Sequence, residues 1–276
     1  MKYRGPAFNL PIIQRTWTLD GLDKVLTEGI IASAIECIKH NRGIIFAALS
    51  GGLDSSFCLA VLRHHLGDNF PIFTFTVGTM KRHPDVQYAE KVAEALKTNH
   101  QSILVDEIAI SVVAHMKDSH PDLFWGEIGK IAGGGPTLLL RTVKKCADAF
   151  QTPINEPRLI VHDGIDELLG GYWDHRKRQT PAKQETEFKT LWSKLHDNHL
   201  FPLWKKAEFF GVVPLFPYLQ PAVIDYISRI PLPERTSHDE SKIPLRRLAE
   251  KYLPPEIVGE VIQRKKIGFC DALKEF

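Results

Sequence analysis

Residues 50 to 55 read Ser50-Gly51-Gly52-Leu53-Asp54-Ser55, between the apolar run Gly43-Ile44-Ile45-Phe46-Ala47-Ala48-Leu49 and the helix-like Ser56-Phe57-Cys58-Leu59-Ala60-Val61-Leu62. Buried strand, glycine turn and helix, in that order, constrain the chain to an α/β architecture whose first crossover opens on an anion cradle. The glycines let backbone approach an anion closely, while serine hydroxyls and the free amides of the first helical turn donate to it. Asp54 is the odd member. A carboxylate beside phosphates repels them unless a divalent cation stands between, so Asp54 points to magnesium bound together with a nucleotide. The Gly-Lys-Ser/Thr of a Walker A loop is missing, which separates this loop from the usual kinase and GTPase type.

The rest of the chain extends the α/β reading. Residues 22–39 carry apolar side chains at near-helical spacing ahead of the first strand, and residues 1–20 read as a surface arm with Pro6 and Pro11. Further strands are expected at Pro71–Val77, stopped by Gly78, at Gln101–Val105 and at Arg158–Val161. Helical patterns lie between them, at Val86–Leu96, Ile108–Met116 and Thr137–Phe150, the last behind a Gly133-Gly134-Gly135-Pro136 break. Buried strands alternating with helices imply a doubly wound parallel sheet, with ligands at the carboxyl ends of strands where the strand order reverses. The organisation expected is an arm (1–20), an α/β core (21–172) and a helical C-terminal part (173–276) that completes the site.

A second cluster follows the strand expected at 158–161: His162-Asp163-Gly164-Ile165-Asp166-Glu167-Leu168-Leu169-Gly170-Gly171-Tyr172. Taken alone, it reads equally as a helix N-terminus with dipole-favoured acids. Beside the first loop it acquires another meaning. If both junctions lie at one sheet edge, Asp54 and Asp166 can share one or two magnesium ions bridging the phosphates of ATP.

These motifs resemble the synthetase domain of the asparagine synthetase B family, which includes the β-lactam synthetases and belongs to the ATP pyrophosphatase superfamily. The family's Ser-Gly-Gly-x-Asp-Ser is present, and Gly164, Asp166, Glu167, Gly170, Gly171 and Tyr172 match its second motif. Lys242, Leu245 and Arg246 resemble its Lys-x-x-Leu-Arg; Lys266-Ile267-Gly268-Phe269 resembles its Lys-x-Gly-Phe; and residues 211–219 resemble a late Gly-Val-Glu-x-Arg-x-Pro-Phe-Leu. The resemblance implies an adenine nucleotide alpha hydrolase-like fold and an AMP-forming ligase that activates a carboxylate, aspartate or a similar acid, for attack by ammonia or an amine. By the same resemblance, Ser50, Gly51, Gly52, Asp54, Ser55 and Gly164 hold pyrophosphate, and Asp54 and Asp166 hold magnesium. Leu49, Val77 and Gly78 contact adenosine. Lys266 and Lys242 are catalytic lysines, and Asp163 stands where a proton can be taken from the attacking amine. Departures are visible too. Val161-His162 replaces Ser-Gly, Val213 and Leu215 replace Glu and Arg, and Gln220 replaces Asp. Position 2 is Lys2, not the cysteine of the family's glutaminase domain, so nitrogen is expected from free ammonia, an amine substrate or a separate glutaminase subunit. The alternatives are an NAD synthetase, a tRNA-modifying pyrophosphatase and a non-catalytic nucleotide-binding relative.

Composition narrows the partners. A net charge of +2 gives no general case for nucleic acid, despite local basic runs such as Arg176-Lys177-Arg178. Cys37, Cys58, Cys146 and Cys270 form no metal-binding pair. No stretch suggests a signal peptide or a membrane span, so a cytoplasmic protein is expected.

Overall fold

The apolar runs that follow helical patterns form the inner strands of one sheet. The computed structural model describes residues 16–78, 83–124, 134–150, 154–177 and 180–264, apart from the side chains of residues 107 and 108. Helix α1 (Leu19–His40) starts at Thr18, whose hydroxyl accepts from the Gly21 amide at 3.0 Å, the usual way of satisfying an orphan donor at a helix start. Strand β1 (Ile45–Ala48), helix α2 (Leu53–Leu66), strand β2 (Ile72–Gly78), helix α3 (Pro84–Ala95) and strand β3 (Asn99–Leu104) follow as alternating units. Next come α4 (Glu107–Ser119) and α5 (Gly134–Asp148), then β4 (Arg158–Ile160) and the short α6 (Ile165–Leu169).

Most bounds shift by one to three residues from the sequence expectation, β2 for one taking in Gly78, and two differences go further. Helix α5 begins at Gly134, so two of the three glycines lie in its first turn; Gly133 is outside the described residues. The expected arm lies outside them as far as residue 15, and its described end is tied down by Trp17 donating to Glu234 at 3.0 Å.

The strands pair in parallel in the order β3-β2-β1-β4, and β5 (Val213–Leu215) adds beyond β4. The order therefore reverses between β1 and β4, the position where doubly wound sheets bind ligands. Register makes this consequential: Phe46 lies opposite Leu159 and Ala47 opposite Ile160, so the two strands end level and their following loops emerge side by side. Because β5 belongs to the same sheet, the segment after residue 172 is built into the core.

One face of the sheet is covered by α1, α2 and α3, joined by α12 (Ile243–Tyr252), around Leu26, Ile30, Phe57, Leu62, Ala89 and Leu248. The other carries α5 and α9 (Phe201–Phe210), where Phe46, Phe75, Leu140, Val143 and Ala207 pack together. The first cluster also takes in side chains of α8 (Pro181–Leu195), α10 (Pro221–Ser228), α11 (Leu232–Arg235) and α13 (Pro255–Gln263), and α7 (Trp173–Arg176) precedes α8. Burial on both faces explains why β1 reads as an unbroken apolar run rather than an alternating one.

Candidate active site

The loop after β1 is organised by its own serines. Ser55 Oγ accepts from the Ser50 amide at 3.1 Å and lies 3.3 Å from the Gly52 carbonyl, to which it donates, while Ser50 Oγ accepts from the Gly52 amide at 3.3 Å. The opening amides of α2 have no preceding helical carbonyl to bond, so the turn presents donors at the positive end of a helix of 14 residues. Gly51 adopts φ +65°, and a Cβ there would lie 2.4 Å from the Tyr88 carbonyl carbon. Only glycine lets this loop lie against the backbone of α3.

Gly164 opens α6 in the left-handed conformation at φ +95°, and a Cβ on it would strike Leu219 at 2.2 Å. That tight entry turns the chain so that Asp166 points back toward Asp54. The two carboxylates meet on one cation, the Lys242 ammonium. Its Nζ lies 2.6 Å from both Asp54 carboxylate oxygens and 2.6 Å from Asp166 Oδ1. Lys242 is 5 % exposed and Asp166 8 %, so the pairs are shielded from water. Gly171 makes room for them: a Cβ there would stand 1.7 Å from Asp166 Oδ1 and 2.5 Å from Lys242 Cε.

Neighbouring groups feel the same burial. Glu167 accepts from the Tyr172 hydroxyl at 2.9 Å, and burial, reinforced by the charge of Asp166, pushes its carboxyl up to about 7. His175 is fully buried beneath Phe188 and takes the Tyr172 amide on Nδ1 at 3.3 Å; burial drives it down to about 4, so it is neutral. His162, the departure noted from sequence, places Nε2 2.8 Å from the Ala48 carbonyl, an acceptor that fixes the N–H on that nitrogen. Burial lowers its proton affinity, and Nδ1 finds no hydrogen-bond partner among the described residues.

Three residues that the sequence did not single out for this role support the site. Tyr218, fully buried, donates to the Asp54 carbonyl oxygen at 2.7 Å. Arg246 donates to the Ser241 carbonyl at 2.5 Å and to the Ile262 carbonyl, tying the turn that carries Lys242 to the end of α13. Arg264 donates to the Ser50 carbonyl at 2.7 Å, pairs with Asp85 and lies 4.7 Å over the Tyr88 ring. Burial lowers this guanidinium to about 10. The last described residue of the chain thus grips the glycine loop.

The remaining sequence candidates divide. Val77 and Gly78 end β2 past its last pairing with β1, opposite Ile103 and Leu104 of β3. The Leu49 side chain is buried in the core, its amide donates to Phe75 at 2.8 Å, and its carbonyl accepts from Thr76. Asp163 is half-buried ahead of Gly164. Lys266 lies outside the described residues. No group of three or more histidine, cysteine or carboxylate ligands occurs among the described residues. Two carboxylates on a shared cation position nevertheless suit magnesium, which takes one or two carboxylates and completes its shell with phosphate oxygens and water.

The fold and the cradle define a doubly wound α/β protein with a glycine loop and an acid pair at its switch point. The chain belongs to the asparagine synthase family, whose model, described as "Asparagine synthase", matches residues 43–212 and 205–275. It is 26% identical over 277 residues to the glutamine-hydrolysing asparagine synthetase of Gallus gallus, covering 96% of this chain and 45% of that protein. It is 28% identical over 231 residues to a probable glutamine-hydrolysing asparagine synthetase of Acanthamoeba polyphaga mimivirus, covering 82% of this chain and 39% of that one. The chain therefore spans less than half the length of these relatives. Among solved structures it is similar to an NH3-dependent NAD synthetase from Campylobacter jejuni, with TM-score 0.37 and 16% identity over 78% of this chain and 94% of the other. No described helix is long and apolar enough to cross a membrane.

Proposed function

We propose that the chain is an AMP-forming amide synthetase. A carboxylate oxygen of the acid substrate attacks the α-phosphorus of ATP, pyrophosphate departs, and ammonia or an amine then displaces AMP from the acyl-adenylate. The convergence of Asp54 and Asp166 on one cation position carries this reading, because a polyphosphate leaving group beside the donors of the glycine loop needs cationic charge there. Magnesium would be held by these two carboxylates and would supply charge neutralisation for the departing pyrophosphate. Ser50, Ser55 and the first amides of α2 bind the separating pyrophosphate more strongly than intact ATP, which lowers the barrier. Lys266 supplies positive charge to the α-phosphate, Lys242 to the polyphosphate, and Asp163 receives the proton released by the amine. Aspartate with ammonia is the first pair to test, since the matched relatives are named asparagine synthetases.

The test is product analysis. Carboxylic acids, aspartate first, are incubated with ATP, magnesium and ammonium, and the nucleotide products are separated. AMP and pyrophosphate in equal amounts, dependent on the acid, are expected. ADP and phosphate as the stoichiometric products, or no acid-dependent AMP across the panel, would overturn the reading.

A further inference from the structure

The acid pair faces a conflict that its own geometry exposes. The proposed reaction sets a divalent cation between Asp54 and Asp166, yet the Lys242 ammonium lies 2.6 Å from oxygens of both. A magnesium ion bound to the same oxygens at about 2.0–2.1 Å would overlap the nitrogen. Both cations cannot occupy the one position.

We propose that Lys242 is a resident counter-cation that makes the acid pair select metal carried by a polyphosphate over free metal. The inference rests on the reaction proposed above and adds to it a specificity role for Lys242. A buried carboxylate beside a half-buried one, without a cation, would be strongly unfavourable, and the ammonium balances both in the unliganded protein. Free metal gains little by entering, because it must expel an ammonium that already pairs with both carboxylates. A polyphosphate removes this obstacle by giving the ammonium a new anionic partner, and the four-carbon stem of lysine allows the change of position.

The surroundings are shaped for such an exchange. Lys242 has φ +54°, a left-handed conformation that is unfavourable for a residue with a side chain, and it sits at the N-cap of α12. The backbone there is fixed by Arg246, which holds the preceding Ser241 carbonyl. The side chain can therefore change position while its anchor stays. Gly171 lets Lys242 Cε and Asp166 Oδ1 pack directly against the backbone, where a Cβ would displace them.

The test measures metal binding without turnover. The full chain is titrated with MnCl2 alone, free Mn2+ being read by its electron paramagnetic resonance signal, and melting is followed in MgCl2 without nucleotide. Lys242→Met keeps the four-atom stem of the side chain and removes the ammonium. Wild type is expected to show no saturable Mn2+ site below millimolar concentration, and Lys242→Met to bind at least about tenfold more tightly. The variant should also melt lower than wild type without metal and regain several degrees with MgCl2, a gain that a further Asp166→Asn change abolishes. A tight Mn2+ site in wild type without nucleotide, or equal affinity in the two proteins, would overturn the proposal. If Lys242→Met does not fold, the wild-type titration, repeated with and without a non-hydrolysable ATP analogue, decides: tight binding must require the analogue. Nucleotide-gated metal binding without acid-dependent AMP would sink the reaction and leave the exchange standing; AMP formation with tight nucleotide-free metal binding would do the reverse.

Discussion

Gly51 and Gly52 are adjacent and identical in the sequence, yet they should respond very unequally to alanine. Gly51 has φ +65°, and a Cβ would lie 2.4 Å from the Tyr88 carbonyl carbon, 2.5 Å from the Ala89 amide nitrogen and 2.7 Å from Tyr88 Cβ. Two of those atoms belong to the backbone of α3, which cannot swing aside as a side chain can. Gly52 has φ −80°, where any residue is comfortable, and its nearest neighbour would be Ser50 Oγ at 3.2 Å. A left-handed alanine costs about 1–2 kcal/mol and overpacking about 1–3 kcal/mol, offset by about 0.4–1 kcal/mol from a less flexible unfolded chain. Gly51→Ala should therefore lose about 1–5 kcal/mol net. At Gly52 the poorer capping by alanine and the same entropic gain nearly cancel, leaving a change within about 1 kcal/mol of zero. Urea unfolding read by tryptophan fluorescence measures both, with an unchanged slope required so that the midpoint reports stability. Heat gives a second reading, at about 2–4 °C per kcal/mol for domains approaching this size. If Gly51→Ala unfolds at the same urea concentration as Gly52→Ala, the packing of the loop against α3 is not what holds the cradle in place.

Gly171→Ala should separate Asp166 from Lys242 and lower acid-dependent pyrophosphate release by about 100-fold. Gly259→Ala, at a helical glycine whose Cβ would meet nothing within 4 Å, should stabilise the fold by about 1 kcal/mol, and a loss of activity in both would argue against a site-specific effect. Glu167 stands at about 7 against an ordinary 4.5, so between those values the native state keeps a proton that the unfolded chain has lost. Its contribution is complete below pH 4.5 and disappears as pH rises through about 7. Urea midpoints across that range should fall less steeply for Glu167→Gln than for wild type, and parallel slopes would contradict the burial argument. Arg264→Lys keeps the charge but loses the planar fork that joins Ser50 to Asp85 over Tyr88. Pyrophosphate release should drop about tenfold or more with an unchanged circular dichroism spectrum, whereas a wild-type rate would show that the grip on the loop is dispensable.

What the sequence revealed and what it hid follow from the range of each signal. A buried strand, a glycine turn and a helix are local, so the units around β1 and β2 were legible, as was the acid-rich junction after β4. The pairing of β1 with β4 joins residues more than a hundred positions apart, and periodicity carries no record of that. It could only be inferred, by asking what cation two acidic loops would share. Strand β5 left a weaker trace still, because Val213-Pro214-Leu215 is too short for alternation and contains a proline. Tyr218, Arg246 and Arg264 act through hydrogen bonds to backbone carbonyls that their own neighbours in sequence do not mark. A contact of that kind imposes no spacing rule on its neighbours. Lys242 matched a family motif, but nothing in the motif told that its ammonium bridges both acids.

The helical C-terminal part is tied to the sheet by charge as well as by packing. The first loop contributes the Asp54 carboxylate and the second the Asp166 carboxylate, and both meet a cation delivered by the turn before α12. The loop's carbonyl at Ser50 meets a second cation delivered by the end of α13. Both cations enter from residues that follow the last strand, so the cradle is charge-balanced only when α12 and α13 are docked. Docking in turn depends on apolar contacts such as Leu245 and Leu248 against the core. A truncation after β5 would leave the strands of the sheet but expose two converging carboxylates with no counter-charge, which should weaken anion binding at the glycine loop even where the sheet persists.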